Sequence, residues 1–238
     1  MDEQHERFMR AVLAGIAHEP PLVLKGGTAL RVAYGLDRPS EDLDFDSARK
    51  PGMLLGRIHA AAPPELPIER ITVAKDTETV TRLRVLYTPD ASLTRSLRIE
   101  ISYRTPAPDS EVVVVDGIRV ATLPRILDQK LAAAHDGDRP RTKARDLYDL
   151  DFIARVHPSA ISPPLLKRLR AFTSDLASLA ERYRPAFSDD VLEADVDDIV
   201  LSLSENVQRL NERQLASRQD SGIENVSDDT KRHHHRRR

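Results

Sequence analysis

The chain has 238 residues, and its 36 basic and 38 acidic side chains leave a formal net charge of −2. The length allows one large domain or two modest ones, and 40% hydrophobic with 31% charged residues is typical of a folded, soluble protein. A globally basic nucleic-acid-binding protein is therefore excluded, so any such binding must depend on local patches. The absence of cysteine excludes disulfides and thiolate metal sites. With neither an apolar signal run nor a membrane span of about 18 apolar residues, the sequence predicts a cytoplasmic protein without a membrane partner.

The N-terminal quarter predicts helices around two short strands. Apolar residues at helical spacing predict a helix over residues 4–17. The apolar run at 22–24 predicts a strand, which the glycine pair after it should end. Thr28 is expected to cap a helix that Gly35 then ends. Alternating residues predict the next strand at 42–46, and a helix is expected after Pro51.

The middle of the chain changes from strand patterns to helix patterns. Runs of β-branched residues predict strands that extend the sheet in antiparallel fashion, at 68–75, 79–88, 94–103 and 111–121. From Thr122 to about residue 210 the pattern is helical, with expected breaks near 136–142, 157–164 and 184–188. The polar end of the chain predicts a disordered tail. The sequence therefore predicts an α/β (α+β) protein with three parts, a small mixed sheet with helices over 1–121, a helical domain over 122–215 and a tail over 216–238.

The segment RPSEDLDFD, residues 38–46, places three aspartates on one face of the predicted strand. Because strand side chains alternate, Asp42, Asp44 and Asp46 should point away from the core that Leu43 and Phe45 enter. Same-face neighbours lie about 7 Å apart, and carboxylates so close on a rigid strand suit a divalent cation such as Mg²⁺. The alternative is an edge strand with a solvated acidic face, which a lone Asp-x-Asp favours.

Two further features favour the metal interpretation. Gly26 and Gly27 follow a strand and open a helix, so backbone N–H groups and the positive helix end could bind a phosphate. The strand at 94–103 directs Leu97, Ile99 and Ile101 inwards, and Glu100 has the phase to join Asp42 and Asp44. Three carboxylates could hold two Mg²⁺ ions about 3.5–4 Å apart for phosphoryl transfer.

These motifs resemble the signature of the DNA-polymerase-β-like nucleotidyltransferase superfamily, a Gly-Gly or Gly-Ser followed by Asp-x-Asp. The fuller pattern, LKGGTALR with RPSEDLDF and the later KARDLYDL, is similar to the AbiEii/MenT family of toxin nucleotidyltransferases. The resemblance covers roughly residues 20–155 and implies a nucleotidyltransferase catalytic domain over 1–121 that is followed by a helical domain.

The resemblance also implies roles for individual residues. Asp42, Asp44, Lys130 and Asp146 match the catalytic positions, with Asp42, Asp44 and Glu100 as ligands of Mg²⁺ or Mn²⁺. The positions that match nucleotide binding are Lys25, Gly26, Gly27, Thr28, Arg38 and Ser40. Lys130 could instead be a snorkelling lysine beside the core, Ser40 a cap or turn residue, and Asp146 part of a surface ion pair with Lys143. Asp149 and Arg145 could instead hold their helix in place.

The resembled family implies transfer of a nucleotide from a nucleoside triphosphate (NTP) to an acceptor hydroxyl, commonly the 3′ end of tRNA, within a toxin–antitoxin system. A local basic rim for RNA could come from Arg31, Arg38, Arg139, Arg141 and Lys143. A cognate AbiEi-like antitoxin is also implied, and the residues leave open whether it contacts this chain. The alternatives are a nucleotidyltransferase acting on a small molecule or a protein side chain, and a nucleotide-binding module without catalysis.

Overall fold

The computed structural model describes residues 3–18, 22–90, 93–136, 140–188, 192 and 194–233, with side chains described as far as residue 216. The chain divides into two compact units, Met1–Lys130 and Leu131–Arg238. The division predicted from the sequence, after residue 121 and after residue 215, stays a prediction. Within the described residues, no helix is both long enough and apolar enough to cross a membrane.

The first unit contains a seven-stranded mixed sheet in the order β3-β4-β5-β2-β1-β7-β6. Its strands are β1 (Val23–Lys25), β2 (Asp42–Asp46), β3 (Ile68–Asp76), β4 (Val80–Asp90), β5 (Leu93–Ser102), β6 (Val112–Val115) and β7 (Ile118–Ala121). The pairs β2–β5 and β1–β7 are parallel, and the other neighbours are antiparallel. The predicted mixed sheet is thus confirmed. The strands that extend it pair with one another in antiparallel fashion, as expected, but β5 and β7 join β2 and β1 in parallel, which was not predicted.

Three helices of the first unit precede the long strands, α1 (Glu3–Ile16), α2 (Gly26–Tyr34) and α3 (Leu54–Ala61). Helix α1 packs on the apolar face of the sheet, where the Phe8 ring stacks on the Tyr87 ring of β4 with centroids 3.8 Å apart. His5 hydrogen-bonds the Tyr87 hydroxyl at 2.7 Å. This face holds the buried core residues of β2, β4 and β5, each of which contributes about 1.5–3 kcal/mol when fully buried. The opposite face is therefore the one that carries the polar side chains.

The predicted strand at 111–121 is a two-stranded hairpin. Val115 faces Ile118 in the β6–β7 pair, so Asp116 and Gly117 form a two-residue loop. Both have positive φ, 49° and 78°, which is the backbone of a type I′ turn and explains the Asp-Gly pair. The prediction of one continuous strand here is wrong because this turn signal was not recognised.

The second unit is helical, as predicted. Helix α4 (Leu123–Leu131) spans the division, and a π-helical turn at Ala132–Asp136 follows it. The remaining helices are α5 (Ala144–Val156), α6 (Pro163–Phe172), α7 (Leu176–Ser188) and α8 (Val196–His233). The break expected near 184–188 lies slightly later, because α7 continues through Pro185 to Ser188 and α8 begins at Val196. A further break, which was not predicted, separates α6, ending at Phe172, from α7.

Candidate active site

The turn between β1 and α2 begins with Gly26, whose φ of 71° favours glycine. A Cβ on Gly26 would lie 3.2 Å from Oδ2 of Asp44. Glycine therefore both allows the backbone conformation and leaves room for the Asp44 carboxylate against the turn. Helix α2 begins at this glycine, so its first N–H groups, which have no partner within the helix, and the positive end of its dipole lie close to the Asp44 carboxylate.

Arg38 and Ser40 lie against the second glycine of the turn. A Cβ on Gly27 would lie 2.7 Å from Nη2 of Arg38 and 3.1 Å from Oγ of Ser40. Arg38 is buried and donates from Nη1 to the Pro39 carbonyl at 2.7 Å. The structure thus brings four of the predicted nucleotide-binding residues, Gly26, Gly27, Arg38 and Ser40, to one turn.

Thr28 connects the turn to strand β2. Its buried hydroxyl is 2.8 Å from Oγ of Ser40 and donates to the Asp42 carbonyl at 2.5 Å. The prediction that Thr28 caps α2 is wrong, because the helix begins at Gly26 and its N-cap residue is Lys25. Since the hydroxyl instead fixes the backbone of Asp42, Thr28 holds the first aspartate of the acidic strand in place.

The acidic side chains of β2 and β5 lie on one face of the sheet. In the parallel pair, Asp44 faces Glu100 and Asp42 faces Arg98. Burial raises the pKa of the Asp44 carboxyl most, Arg98 lowers it, and Asp42 and Glu100 raise it further. Asp44 is therefore close enough to both Asp42 and Glu100 for their charges to repel its own.

Two arginines neutralise part of this acidic face. Arg98 forms an ion pair with Asp42, and Arg82 of β4 forms one with Glu100 at 2.7 Å. Within the described residues, no three His, Asp or Glu side chains are already grouped as a metal site. The donors present on β2 are carboxylate oxygens, which are the hard ligands that Mg²⁺ and Mn²⁺ accept. Their chemistry fits a divalent cation that would compete with the arginines.

Asp46, the third aspartate of the strand, has a different environment. It is 1% exposed and accepts hydrogen bonds from Lys25 at 2.5 Å, from Gln129 at 2.8 Å and from Arg125 at 2.8 Å. Lys25 therefore directs its ammonium group to this carboxylate. Sequence reasoning missed Arg125 and Gln129, although their i,i+4 spacing on α4 was a signal that both lie on one helix face.

The predicted residues of the KARDLYDL motif lie in the second unit. Asp146 is buried and pairs with Arg141 at 2.7 Å, so the expected pair with Lys143, which is exposed, is wrong. Asp149 is fully buried. Lys130 is buried at the end of the first unit, as expected for a residue beside the core.

The predicted basic rim is largely engaged within the chain. Arg31 donates to Glu6 at 2.8 Å, Arg38 is buried, and Arg141 is bound to Asp146. Arg139 lies outside the described residues. Lys143 is exposed, and the predicted basic rim stays a prediction.

Comparison with known proteins gives consistent results over nearly the whole chain. A family model described as nucleotidyl transferase AbiEii toxin, type IV toxin–antitoxin system, matches residues 7–229. A structure of a candidate nucleotidyltransferase from H. pylori is 40% identical, with a TM-score of 0.84 over 90% of this chain and 97% of that one. The structure of JHP933 from Helicobacter pylori is 38% identical, with a TM-score of 0.87 over 95% of this chain and 99% of that one.

A more distant likeness is to the nucleotidyltransferase toxin MenT4 from Mycobacterium tuberculosis H37Rv. It is 17% identical, with a TM-score of 0.44 over 88% of this chain and 95% of that one, which is too low to support a conclusion. A comparison with curated proteins finds no match.

Proposed function

Because the chain belongs to the AbiEii nucleotidyltransferase toxin family of type IV toxin–antitoxin systems, we propose that it transfers a nucleotide from an NTP to the 3′ end of tRNA. Pyrophosphate is released. One observation carries the proposal, namely that Asp42 and Asp44 lie beside the Gly26-Gly27 turn and the N-terminus of α2. A carboxylate pair next to a phosphate-binding turn is the arrangement that phosphoryl transfer needs.

The reaction forms one bond and breaks one. The terminal ribose hydroxyl of the acceptor bonds to the α-phosphorus of the NTP, the bond from that phosphorus to pyrophosphate breaks, and the hydroxyl proton passes to solvent. There is no covalent enzyme intermediate in this scheme. Catalysis then depends on positioning the two substrates and on stabilising the charge of the leaving group.

Each residue group has a distinct task in this proposal. The N–H groups of Gly27 and Thr28 and the Arg38 and Ser40 side chains bind phosphate oxygens, since all of them meet at the β1–α2 turn. Asp42 and Asp44, with Glu100 as the third carboxylate, would hold Mg²⁺ or Mn²⁺. Such a cation supplies Lewis-acid stabilisation of the transferring phosphoryl group and the leaving pyrophosphate.

The ion pairs of the acidic face must exchange when substrate binds. Arg98 leaves Asp42 and Arg82 leaves Glu100, and both guanidinium groups are then free to bind phosphate. Lys130 and Asp146 match the catalytic positions of the resembled motif, and in this proposal they act in catalysis, with the Lys130 ammonium as a cation for the triphosphate. As a toxin of a type IV system, the chain has a cognate antitoxin as its functional partner.

The test is to incubate the purified chain with Mg²⁺, each labelled NTP in turn and total RNA, and to resolve the products on a sequencing gel. We expect label at the 3′ end of RNA of tRNA size. The variant with both Asp42→Asn and Asp44→Asn should give no label. A matched control changes two exposed acids, Asp109→Asn and Glu65→Gln, and should label as the wild type does.

Other outcomes would contradict parts of the proposal. Label on protein alone would exclude the RNA acceptor, and so would consumption of NTP with label on a small molecule. Label on RNA from the double-asparagine variant would exclude the assignment of the two aspartates. NTP binding without any transfer would indicate a binding module.

A further inference from the structure

The polar face of the sheet continues beyond the acidic residues into a basic surface. Residues directly opposite each other on paired strands lie on the same face. In one row across the sheet, Asp42 of β2 faces Arg98 of β5, which in turn faces Arg84 of β4. In the next row, Glu100 of β5 faces Arg82 of β4, which in turn faces Lys75 of β3. Five basic side chains of β3, β4 and β5 share this face, and we call them the basic sheet face: Arg70, Lys75, Arg82, Arg84 and Arg98.

The charges on this face are not balanced within the chain. Arg82 and Arg98 have the acidic partners described above, whereas Arg70, Lys75 and Arg84 are exposed and make no salt bridge to any described residue. Two like-charged pairs also face each other directly, Arg84 with Arg98 and Lys75 with Arg82. Directly opposite like charges destabilise a sheet, so an anion bound between them would stabilise it.

Protection of a sheet edge explains only part of this surface. Strand β3 is an edge strand, and basic residues on such a strand discourage pairing with other chains. Strands β4 and β5, however, are paired on both sides, and they carry Arg82, Arg84 and Arg98. The basic residues of these inner strands therefore need another explanation.

We propose that the basic sheet face binds the phosphodiester backbone of the RNA whose 3′ end receives the nucleotide. The inference rests on the proposed function, because the acceptor hydroxyl must meet the aspartates of β2. Strands lie about 4.8 Å apart, so the three steps from β2 to β3 span roughly 14 Å. That length suits a short unpaired 3′ end, whose phosphates would cross β5, β4 and β3 in turn.

The chemistry of the side chains agrees with this ligand. The planar guanidinium group of arginine binds phosphate oxygens in a bidentate manner, and four of the five residues are arginines. A few such contacts suffice locally, although the whole chain has a net charge of −2. The surface differs from the rim predicted from the sequence, and it lies on the same side of the sheet as Asp42.

The test measures RNA binding separately from nucleotide binding. The probe is a fluorescent RNA hairpin with an unpaired 3′ overhang, and its anisotropy is followed from about 50 to 200 mM salt. The test variant carries Arg70→Gln and Arg84→Gln. The control carries Arg7→Gln and Arg10→Gln, which remove the same charge from exposed positions of α1, the helix that packs on the opposite face. Calorimetric titration with an NTP and Mg²⁺ is run on each protein.

Each phosphate contact to a single strand contributes about 0.7 to the slope of log K against log salt. The test variant should therefore bind RNA more weakly, with a slope shallower by about 1.4, while its NTP affinity stays at the wild-type value and its melting temperature does not fall. The control should match the wild type. An unchanged RNA affinity and slope in the test variant would overturn the inference. A parallel fall in NTP affinity would also overturn it, since these arginines would then serve the triphosphate.

If the wild-type chain binds NTP but no RNA at any salt concentration, the basic sheet face is not an RNA surface, and transfer to another acceptor remains open. If the wild type binds RNA as expected but transfers no nucleotide to it, the proposed reaction is wrong, whereas RNA binding by the basic sheet face is still supported.

Discussion

Two aspartates of the acidic strand, Asp46 and Asp42, should respond in opposite ways to removal of their carboxylates. Asp46 is buried and joins β2 to Lys25, Arg125 and Gln129. Asp42 is 32% exposed in its side chain and pairs with a 42% exposed Arg98. We therefore expect Asp46→Ala to destabilise the fold, and Asp42→Ala to abolish nucleotide transfer while leaving the fold intact.

The magnitudes follow from burial. Removing one member of a buried ion pair destabilises a protein by about 3–5 kcal/mol, because the remaining charge is left buried without compensation. Arg125 keeps its bonds to Glu111 and to the Thr105 carbonyl, so the lower end of about 3 kcal/mol applies to Asp46→Ala. At about 2–4 °C per kcal/mol, the melting temperature falls by roughly 6–12 °C. A partly exposed pair contributes only about 0–1 kcal/mol, which sets the limit for Asp42→Ala.

Thermal and urea unfolding followed by circular dichroism, in the presence of a chelator, would measure both variants. Asp109→Ala, which removes an exposed aspartate with a surface partner, is the control and should melt with the wild type. The reasoning would be refuted if Asp46→Ala melted within about 2 °C of the wild type, or if Asp42→Ala lost as much stability as Asp46→Ala.

Four further substitutions test the site. Asp44→Asn should raise the melting temperature at neutral pH, because the raised pKa of the Asp44 carboxyl means that its charged form opposes folding. In the wild type the stability therefore falls as the pH rises above 3.8 and Asp44 ionises, and melts across pH should show that the variant lacks this dependence. Gly26→Ala should destabilise by about 1–2 kcal/mol and slow transfer, as seen in urea unfolding and product formation, since its φ is positive and its Cβ would crowd Asp44. Thr28→Val should destabilise by about 1–3 kcal/mol in urea, because the Asp42 carbonyl loses its donor. Lys130→Met keeps the buried stem without the ammonium group, so steady-state assays on the folded variant should show a strongly lowered kcat, and an unchanged kcat would make Lys130 a packing residue.

Local patterns predicted the elements around the candidate site. The alternation of DLDFD gave the strand Asp42–Asp46 with its bounds, and Gly35 in the left-handed region ends α2 as expected. Such features depend on neighbouring residues, since strand alternation and the freedom of glycine act within a few positions. The phase of Glu100 on β5 was predicted for the same reason, and it faces Asp44 in the structure.

Pairings between distant residues could not be predicted in this way. The sequence by itself determined a mixed sheet, a glycine turn and an acidic strand, because periodicity and turn chemistry are local. Only the tertiary structure decided that Asp46 accepts hydrogen bonds from Lys25, Arg125 and Gln129. Asp42 and Glu100 instead form ion pairs with arginines of β5 and β4. The physical reason is that three aspartates on one strand face are equivalent locally, and strand order and burial alone determine which of them meets a buried cation and which remains open to solvent.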